Sequence, residues 1–421
     1  MKKSMDQFEN MDNERIRIAY IGLEIPALSA TFIYNEILQL EKTGFKVIPL
    51  SVLKPGSLPD QKKLETLGKN TYYIYGETLV TFLISSVKFF FHSPIKYLSA
   101  LLTAVKDSIK VGLISHIGIG MLYRFLVASR VSEILKRESC VHLHAHFAHV
   151  PTDIAMYVSM LSGVSFSFTS HANDLFERGW LLKEKVDRAG FAVTISEYNR
   201  RFLVNKGSLG EKIHVIHCGI NTKFFSDVKG KQNNSSIQIG ALGRLVEKKG
   251  FDTLIYACDL LKKERISFHV DLLGDGPLRN DIQSLIDKMG LSAQINLIGS
   301  IQNKQVPDWL KKKDIFVLPC RKDKQGDMDG IPVVLMEAMA MGMPVISSRI
   351  SGIPELIDDG ENGLLSEPGN AEDLFRAIKK IKCDPNLQIK FHTNAINKIH
   401  REFDLTKNVE RLSNLLKGQI F

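Results

Sequence analysis

Short apolar segments recur along this chain at intervals that leave room for one helix between successive segments. A helix predicted at 31–42 separates the first two segments, which is the opening of a βαβ unit. Alternating strands and helices are typical of a parallel sheet with helices on both faces. The first half is therefore predicted to be a doubly wound domain. Its strands are predicted at 15–22, 46–50, 141–145, 165–169, 191–195 and 213–216.

A second domain of the same class is predicted after residues 226–236, which are almost entirely polar, amide or glycine residues and read as a linker. Its helices include 277–289 and 333–341. Its strands are predicted at 237–242, 269–273, 295–298, 315–318 and 344–347. The predicted organisation is a disordered leader at 1–14, a first domain at 15–225, a second domain at 237–386, and C-terminal helices at 387–421.

Composition favours a globular protein in a reducing compartment. The 421 residues are 44% hydrophobic and 24% charged, and the five cysteines form neither a Cys-x-x-Cys pair nor a repeated spacing. The leader lacks the apolar stretch of a secretory signal, and the longest apolar run is interrupted by Lys88 before it could span a bilayer. We expect a cytoplasmic protein without a disulfide framework or a thiolate metal site.

The net charge of +9 calls for an anionic partner. Between residues 79 and 132 the only acid is Asp107, in a stretch that is otherwise rich in apolar residues. Such a region fits contact with the anionic inner face of the plasma membrane, and equally fits core-packing helices with a solvated basic side. No nucleic-acid-binding module is visible. The basic residues of this stretch are Lys88, Lys96, Lys106, Lys110, Arg124 and Arg130.

Two motifs in the second half predict a pocket for a diphosphate joined to a group rich in hydroxyls. In segment 243–250, Arg244 and Lys249 follow a predicted strand and supply fixed positive charge. Further on, Asp329 and Glu337 flank a Gly/Pro turn and the start of a helix, whose free N–H groups favour an anion. Carboxylates accept hydrogen bonds from sugar hydroxyls, so the predicted ligand is a nucleotide sugar.

These motifs resemble those of the retaining glycosyltransferases of the GT-B fold, family 4 (glycosyl transferases group 1), and especially the bacterial enzymes of exopolysaccharide and colanic-acid-type biosynthesis. The resemblance extends to about residue 380, and Asp329 stands where the Glu-x7-Glu signature of the family begins with Glu. It implies two Rossmann-like doubly wound parallel-sheet domains that face a central cleft. It also implies that the C-terminal helices cross back to the N-terminal domain.

The resemblance also implies roles for individual residues. Arg244 and Lys249 would bind the donor diphosphate, and Glu337 would bind the ribose hydroxyls. The side chain of Asp329 and the N–H groups of Gly330 and Ile331 would face the sugar. His171 matches the histidine that the family places beside the donor sugar, where it would help position the sugar and stabilise developing positive charge. Asp329 and His171 are the predicted catalytic residues.

Two further regions of the first domain are considered, a row of histidines on one strand and the loop after the first strand. His142, His144 and His146 lie on one face of a predicted strand, as metal ligands can, but related enzymes carry such histidines without a metal requirement. We therefore predict no metal site, and a role in lining the cleft for His146. The loop after the first strand, from Gly22 past Ser29, is predicted to contact the acceptor.

The predicted function is transfer of a sugar from a nucleotide-diphosphate donor, with retention, to a lipid-linked saccharide in cell-surface polysaccharide biosynthesis. The protein would be a hexosyltransferase-type enzyme without a cofactor, because two cations and a helix terminus can neutralise the diphosphate. One alternative is a nucleotide-sugar epimerase of the same fold, which needs no acceptor. Another is a non-catalytic nucleotide-sugar-binding regulatory subunit.

Overall fold

The computed structural model describes residues 15–27, 31–56, 62–225 and 236–421. The predicted leader, Ser29 and the predicted linker up to residue 235 lie outside these residues. The chain divides into two compact units. The first unit comprises Met1–Ile195, Arg200–Ile216 and Thr406–Phe421, and the second comprises Ser196–Asn199 and His217–Leu405.

The first unit is built on a seven-stranded sheet whose strand pairs are all parallel. Its order is β3-β2-β1-β4-β5-β6-β7, so the order reverses between β1 and β4. This is the order of a dinucleotide-binding fold with one added edge strand. The strands are β1 Ile16–Glu24, β2 Phe45–Leu53, β3 Tyr72–Tyr73, β4 His142–His146, β5 Ser165–Ser170, β6 Phe191–Thr194 and β7 Ile213–Val215.

Helices cover this sheet, and one of them comes from the C-terminus. The last helix packs within the first unit, where the ammonium of Lys417 lies 5.9 Å from the ring centroid of Phe45. The helices are α1 Thr31–Leu40, α2 Lys62–Lys69, α3 Leu79–His92, α4 Pro94–Lys110, α5 His116–Arg137, α6 Val150–Ser162, α7 Ala172–Phe176, α8 Leu182–Arg188, α9 Glu197–Asn205 and, after the second unit, α17 Leu405–Ile420.

A buried ion pair fixes the segment that follows β4. Lys185 of α8 is fully buried, and its ammonium lies 2.9 Å from a carboxylate oxygen of Asp153 on α6. It also donates to the carbonyls of Ala148 and Trp180, at 2.6 and 2.8 Å. Burial lowers the pKa of Lys185, and Asp153 offsets only part of this effect. These bonds hold the loop beyond β4 against two helices.

The second unit contains a six-stranded parallel sheet of order β10-β9-β8-β11-β12-β13. Its strands are β8 Ile237–Leu242, β9 Phe268–Leu273, β10 Ile295–Gly299, β11 Ile315–Leu318, β12 Val345–Ser348 and β13 Leu364–Ser366. Its helices are α10 Phe251–Lys263, α11 Arg279–Lys288, α12 Val306–Leu310, α13 Val333–Ala340, α14 Ile353–Leu356, α15 Ala371–Cys383 and α16 Pro385–Glu402.

The predicted fold class of two Rossmann-like parallel-sheet domains is confirmed. Every strand predicted from the sequence is present within two residues of its predicted ends, except that β2 continues three residues past its predicted end. The short strands β3 and β13 were not predicted, because two or three residues carry too little periodicity. The helix predicted at 31–42 ends at Leu40 and continues as one 3₁₀ turn.

Backbone segments approach each other closely at the carboxyl ends of β8, β9 and β11. Gly250 has φ of +67°, and a Cβ on it would lie 2.0 Å from the carbonyl oxygen of Pro319. Gly274 has φ of +139°, and its Cβ would lie 1.8 Å from the carbonyl oxygen of Gly243. Both positions need glycine, because of the left-handed φ and because the neighbouring backbone leaves no room for a side chain.

We expect Gly250→Ala to lower the free energy of unfolding by about 3 kcal/mol or more, because it adds a backbone clash to left-handed strain. Gly360 is a matched control, with φ of +77° and no atom within 4 Å of its Cβ position. Gly360→Ala should cost only about 1 kcal/mol. Urea denaturation of the full chain measures both changes. If both variants lose the same free energy of unfolding, the close approach of residue 250 to Pro319 does not add to the cost of the substitution.

Candidate functional site

The second unit gathers its predicted site residues where the strand order reverses, between β8 and β11. Ligands of doubly wound sheets bind beside the carboxyl ends of strands at this point. The loop after β8 is fastened on both sides by backbone hydrogen bonds. The N–H of Leu245 donates to the carbonyl of Asp275 at 2.9 Å, and the N–H of Arg321 donates to the carbonyl of Lys248 at 2.9 Å.

Asp329 and Lys249 form the central ion pair of this site. The ammonium of Lys249 lies 2.7 Å from one carboxylate oxygen of Asp329, and that of Lys248 lies 3.8 Å from the other. Lys248 also pairs with Asp327 at 2.6 Å. Burial raises the pKa of Asp329, but the two lysines more than offset this, so its pKa is lowered. Asp329 is therefore ionised at neutral pH, and Lys249 is charged beside it.

Free backbone donors follow Asp329 directly. Among the described residues, no acceptor receives the N–H groups of Gly330, Ile331, Val333 or Val334. The last two belong to the first turn of α13, whose dipole favours negative charge. Four unused N–H donors beside a lysine ammonium form a site suited to phosphate or sugar oxygens.

Glu337 lies in the second turn of α13 and is half-buried. Its carboxylate makes no hydrogen bond or ion pair with any part of the chain that the structure describes. Burial raises the pKa of this carboxyl to about 7. A half-buried carboxylate without a partner is costly unless a ligand supplies donors. Hydroxyl groups, such as those of a ribose, are donors of this kind.

Arg244 is exposed, and its guanidinium makes no ion pair within the described residues. It follows β8 directly, beside Gly243, whose N–H donates to the carbonyl of Leu273 at 3.0 Å. The structure thus brings Lys249, Asp329, Gly330 and Ile331 into one place, while the side chain of Arg244 stays free to reach a ligand.

In the first unit, the predicted residues His171 and His146 belong to a buried chain of hydrogen bonds. Their Nε2 atoms lie 2.6 Å apart. His146 Nδ1 lies 2.6 Å from the hydroxyl of Tyr20, which bonds in turn to the carboxylate of Glu36. The ring of Phe32 packs on His171 with a centroid distance of 4.8 Å. His171 is thereby connected through two other side chains to a carboxylate.

The helix cap at α7 determines which group donates and which accepts in this series of hydrogen bonds. The ring of His171 accepts from the N–H of Asp174, and since its Nε2 faces His146, the accepting atom is Nδ1. His171 therefore carries its proton on Nε2 and donates it to His146. His146 then donates from Nδ1 to Tyr20, and Tyr20 donates to Glu36. Burial lowers the pKa of His171 to about 3, which keeps its ring neutral.

The remaining histidines of β4 form a second polar ladder inside the sheet. The hydroxyl of Ser167 lies 2.7 Å from His142 Nε2 and 2.8 Å from His144 Nδ1. His144 Nε2 lies 3.0 Å from the hydroxyl of Thr169. The ligand atoms of Glu36, His144 and His146 come within 4.8 Å of one another, as metal ligands can. Each of these three side chains is already engaged in hydrogen bonds within the protein.

The predicted residue Gly22 and the neighbouring residue Asp174 occupy structural positions. Gly22 lies inside β1, paired with Ser51, and a Cβ on it would lie 3.0 Å from the side chain of Ile25. Asp174 accepts from the N–H of His171 at 2.8 Å. Burial raises the pKa of Asp174 to about 7, although several backbone donors lower it. Tyr20 and Glu36 were not predicted as site residues, because they share no local sequence motif with His146 or His171.

Comparison with known proteins agrees with the geometry of the second unit. Residues 223–398 match the family model of glycosyl transferases group 1. These residues form a glycosyl transferases group 1 domain. It is 26% identical to the amylovoran biosynthesis glycosyltransferase AmsK of Erwinia amylovora, over 96% of this chain and 99% of the relative. It is 32% identical to the putative colanic acid biosynthesis glycosyltransferase WcaL of Salmonella typhimurium, over 59% of each chain.

Solved structures support the same fold for this glycosyltransferase. Anabaena HepE in complex with UDP aligns with a TM-score of 0.72 at 14% identity, covering 96% of this chain and all of that one. Sucrose-phosphate synthase from Thermosynechococcus elongatus aligns with a TM-score of 0.71 at 17% identity, covering 96% of this chain and 99% of that one. The predicted resemblance to exopolysaccharide glycosyltransferases of the GT-B type is confirmed.

We expect Tyr20→Phe to change the tautomer balance of the two linked histidines of the glycosyltransferase, because it removes the hydroxyl that receives the proton of His146. Nitrogen-15 NMR of histidine-labelled protein should show His171 protonated on Nε2 in the parent and a mixture in the variant. Tyr73→Phe is the control, because it removes a hydroxyl that bonds, within the described residues, to the carbonyl of Gly68 alone. A parent in which His171 carries its proton on Nδ1 would contradict the assigned direction.

Proposed function

We propose that this glycosyltransferase transfers a sugar from a nucleotide-diphosphate donor to a saccharide acceptor, with retention at the anomeric carbon. The observation that carries the proposal is the arrangement around α13. Free N–H groups and the unpartnered carboxylate of Glu337 belong to α13 and the segment just before it, and Asp329 of that segment pairs with Lys249 at 2.7 Å. A diphosphate flanked by two sugars has the anionic centre and hydroxyl-bearing ends that match these groups.

We assign the groups of the donor to individual residues as follows. The carboxylate of Glu337 accepts from the ribose hydroxyls, which provide the donors that this side chain lacks in the protein. Arg244 and Lys249 bind the diphosphate. Gly330 and Ile331 donate their free N–H groups to the transferred sugar or its phosphate, and Asp329 accepts from a sugar hydroxyl. Lys249 thus fixes the orientation of Asp329 while binding the phosphate.

Charge neutralisation in the proposed reaction is supplied by the protein. As the glycosidic bond breaks, negative charge grows on the diphosphate. Two cations and the amino end of α13 stabilise that charge in positions set before the reaction. We therefore propose that transfer needs neither a metal ion nor another cofactor.

His171 is proposed to act on the sugar side of the reaction. A retaining transfer passes through a sugar ring that bears positive charge. The neutral ring of His171 donates into a chain that ends at Glu36, whose pKa is raised by burial to about 7 although the hydrogen bond from Tyr20 lowers it. When Glu36 is ionised, such a chain polarises towards the imidazole. An electron-rich, uncharged imidazole stabilises a cation without repelling it. In this role Tyr20, Glu36 and His146 are positioning residues.

The acceptor is proposed to be a lipid-linked saccharide of exopolysaccharide biosynthesis. The support is the similarity to AmsK, a relative named for amylovoran biosynthesis, along almost the whole length of both chains. WcaL, named for colanic acid biosynthesis, adds a second relative of the same kind. The structural neighbour HepE was solved with UDP and with UDP-glucose, which makes uridine nucleotides the first donors to test.

We expect one nucleotide class among UDP, GDP, ADP and dTDP and their sugar conjugates to raise the melting temperature of the full chain in the presence of EDTA. At a hundredfold excess over Kd, binding adds about 2.7 kcal/mol. This corresponds to roughly 5–10 °C for a unit of this size. Arg244→Ala should weaken binding about tenfold or more, because charge-assisted bonds to phosphate are lost. Differential scanning fluorimetry provides the measurement.

The matched control for this experiment is Arg376→Ala. It removes an exposed arginine whose ion pair in the described part of the chain is with Asp373, one turn away on its own helix. Its ligand-induced shift should equal that of the parent. Absence of any shift in the parent, or an equal shift in the Arg244→Ala variant, would remove the support for a diphosphate site at this loop.

We expect the affinity for the sugar conjugate found above to rise as pH increases from about 6 to 8. The raised pKa of Glu337, about 7, means that its carboxylate is mostly protonated at the lower value and mostly ionised at the higher. Since only the ionised form accepts from both ribose hydroxyls, affinity should rise by up to about tenfold. Isothermal titration calorimetry measures this change, and a nucleotide sugar has no phosphate group that titrates in the same range.

Glu337→Gln is the matched control for this pH dependence, because it keeps the shape of the side chain and removes its charge. The variant should bind more weakly at pH 8 and with the same affinity at both pH values. If the variant retains the pH dependence of the parent, the titrating group is not Glu337 and the assignment of this residue to the ribose is wrong.

A further inference from the structure

The helix α3 of the first unit buries two serines beside Phe82 and leaves most of its large apolar side chains exposed. Its buried side chains include Ser85 and Ser86. The hydroxyl of Ser85 donates to Glu133 at 2.8 Å, and that of Ser86 lies 2.7 Å from the hydroxyl of Tyr97. An amphipathic helix of a soluble domain normally buries its apolar stripe and exposes its polar one. The serine side of α3 faces the protein instead.

The side of α3 that faces away from the protein is apolar. Half of its fourteen residues are exposed large hydrophobic side chains, and Phe91 is 78% exposed. Their spacing repeats once per helical turn, so that they form one continuous stripe. The stripe consists of Leu79, Val80, Leu83, Ile84, Val87, Phe90 and Phe91.

The apolar surface continues into α4 and the segment after it. Only Ser93 separates the two helices, and Ile95 at the start of α4 is 84% exposed. Of the 23 exposed large hydrophobic residues in the described part of the chain, fourteen lie between residues 79 and 119. Exposed apolar side chains are usually scattered singly, so this concentration marks an interaction surface. Beyond α3 it comprises Ile95, Leu98, Leu102, Ile109, Leu113, Ile114 and Ile119.

The charges on this surface are of one sign. Lys88, Lys96 and Lys106 are exposed and pair with no carboxylate of the described chain. The single acid between residues 79 and 119, Asp107, is buried and bound to Arg188 at 2.6 and 2.9 Å. Two other basic residues of the predicted region are unavailable, since Arg124 is buried beside Asp153 and Arg130 is bound to Glu77.

We propose that the apolar side of α3 and α4, with its lysines, binds the interface of an anionic lipid bilayer. Phenylalanine and aliphatic side chains would enter the boundary between headgroups and acyl chains, while the lysines contact lipid phosphates. The core-packing alternative accounts for Phe82, which is buried, but not for the seven large apolar side chains of α3 that are exposed. The inference goes beyond sugar transfer and does not depend on the proposed donor.

The observations favour a bilayer over a second copy of the chain. A twofold contact would place the same surface on itself, bringing Lys88 and Lys96 of one copy near those of the other without a carboxylate between them. An anionic bilayer offers phosphates to every lysine at once. The mode of binding is peripheral, since no helix in the described ranges is long and apolar enough to cross a membrane.

The test measures co-sedimentation of the purified full chain with vesicles of phosphatidylcholine alone or with about one third phosphatidylglycerol. The parent should bind the anionic vesicles strongly and the neutral ones weakly. The double variant Phe91→Ser/Ile95→Ser should reduce binding about tenfold or more, because it removes two inserted side chains. Lys88→Glu/Lys96→Glu should reduce binding by a similar factor at low salt. High salt should make the difference between this variant and the parent smaller, because salt screens the attraction between lysines and lipid phosphates.

Each double variant has a matched control in the second unit. Phe224 and Ile389 are 73% and 67% exposed, so Phe224→Ser/Ile389→Ser removes the same residue types at similar exposure. Lys304 and Lys312 are exposed lysines, and Lys304→Glu/Lys312→Glu changes net charge by the same amount as the test variant. Both controls should bind like the parent. All substituted side chains are exposed, so we expect every variant to fold, as checked by its melting temperature.

Insertion is distinguished from surface attraction by Phe91→Trp. Its fluorescence should shift to shorter wavelength on anionic vesicles and be quenched by brominated acyl chains. A parent that binds neither vesicle, or test variants that bind like their controls, would overturn the proposal. A third result would also overturn it: the parent does not sediment with the vesicles, but forms a dimer without lipid, and Phe91→Ser/Ile95→Ser dissociates that dimer. That result would assign the surface to a second copy.

Discussion

The proposed donor site depends on how closely the backbone segments pack at the carboxyl ends of β8, β9 and β11. Gly250 and Gly274 let neighbouring loops approach to distances that any side chain would prevent. This packing holds the loop that carries Lys249 beside the segment that carries Asp329. Because both loops are fixed before a ligand arrives, the charges around a diphosphate cost no reorganisation during the reaction.

The two units stabilise their buried polar groups in different ways. In the second unit, the lysine–aspartate contact favours the charged form of both partners, whereas burial opposes it. In the first unit, the histidines of β4 and His171 are held neutral by burial and linked by directional hydrogen bonds. The ion pair suits binding of an anion, whereas a neutral imidazole tolerates a neighbouring cation.

Much of the site was predictable because its residues lie in two local motifs. Arg244 and Lys249 follow one strand, and Asp329 to Glu337 spans one turn and the start of one helix, so the sequence shows their spacing directly. Tyr20 and Glu36 were not predictable, since they meet His146 only after β1, α1 and β4 have assembled. The fold class followed from alternating strands and helices. The short strands β3 and β13 are defined only by their pairing with longer neighbours.

The apolar surface of α3 and α4 shows that the sequence and the tertiary structure carry different information about this protein. The sequence by itself determined that the segment is apolar, basic and almost free of acids. Composition cannot tell which side of a helix is buried, and only the tertiary structure showed that Ser85 and Ser86 face inward while Phe91 and Ile95 face outward. The reason is general. Local spacing is encoded along the chain, whereas burial depends on neighbours that are distant in sequence and close in space.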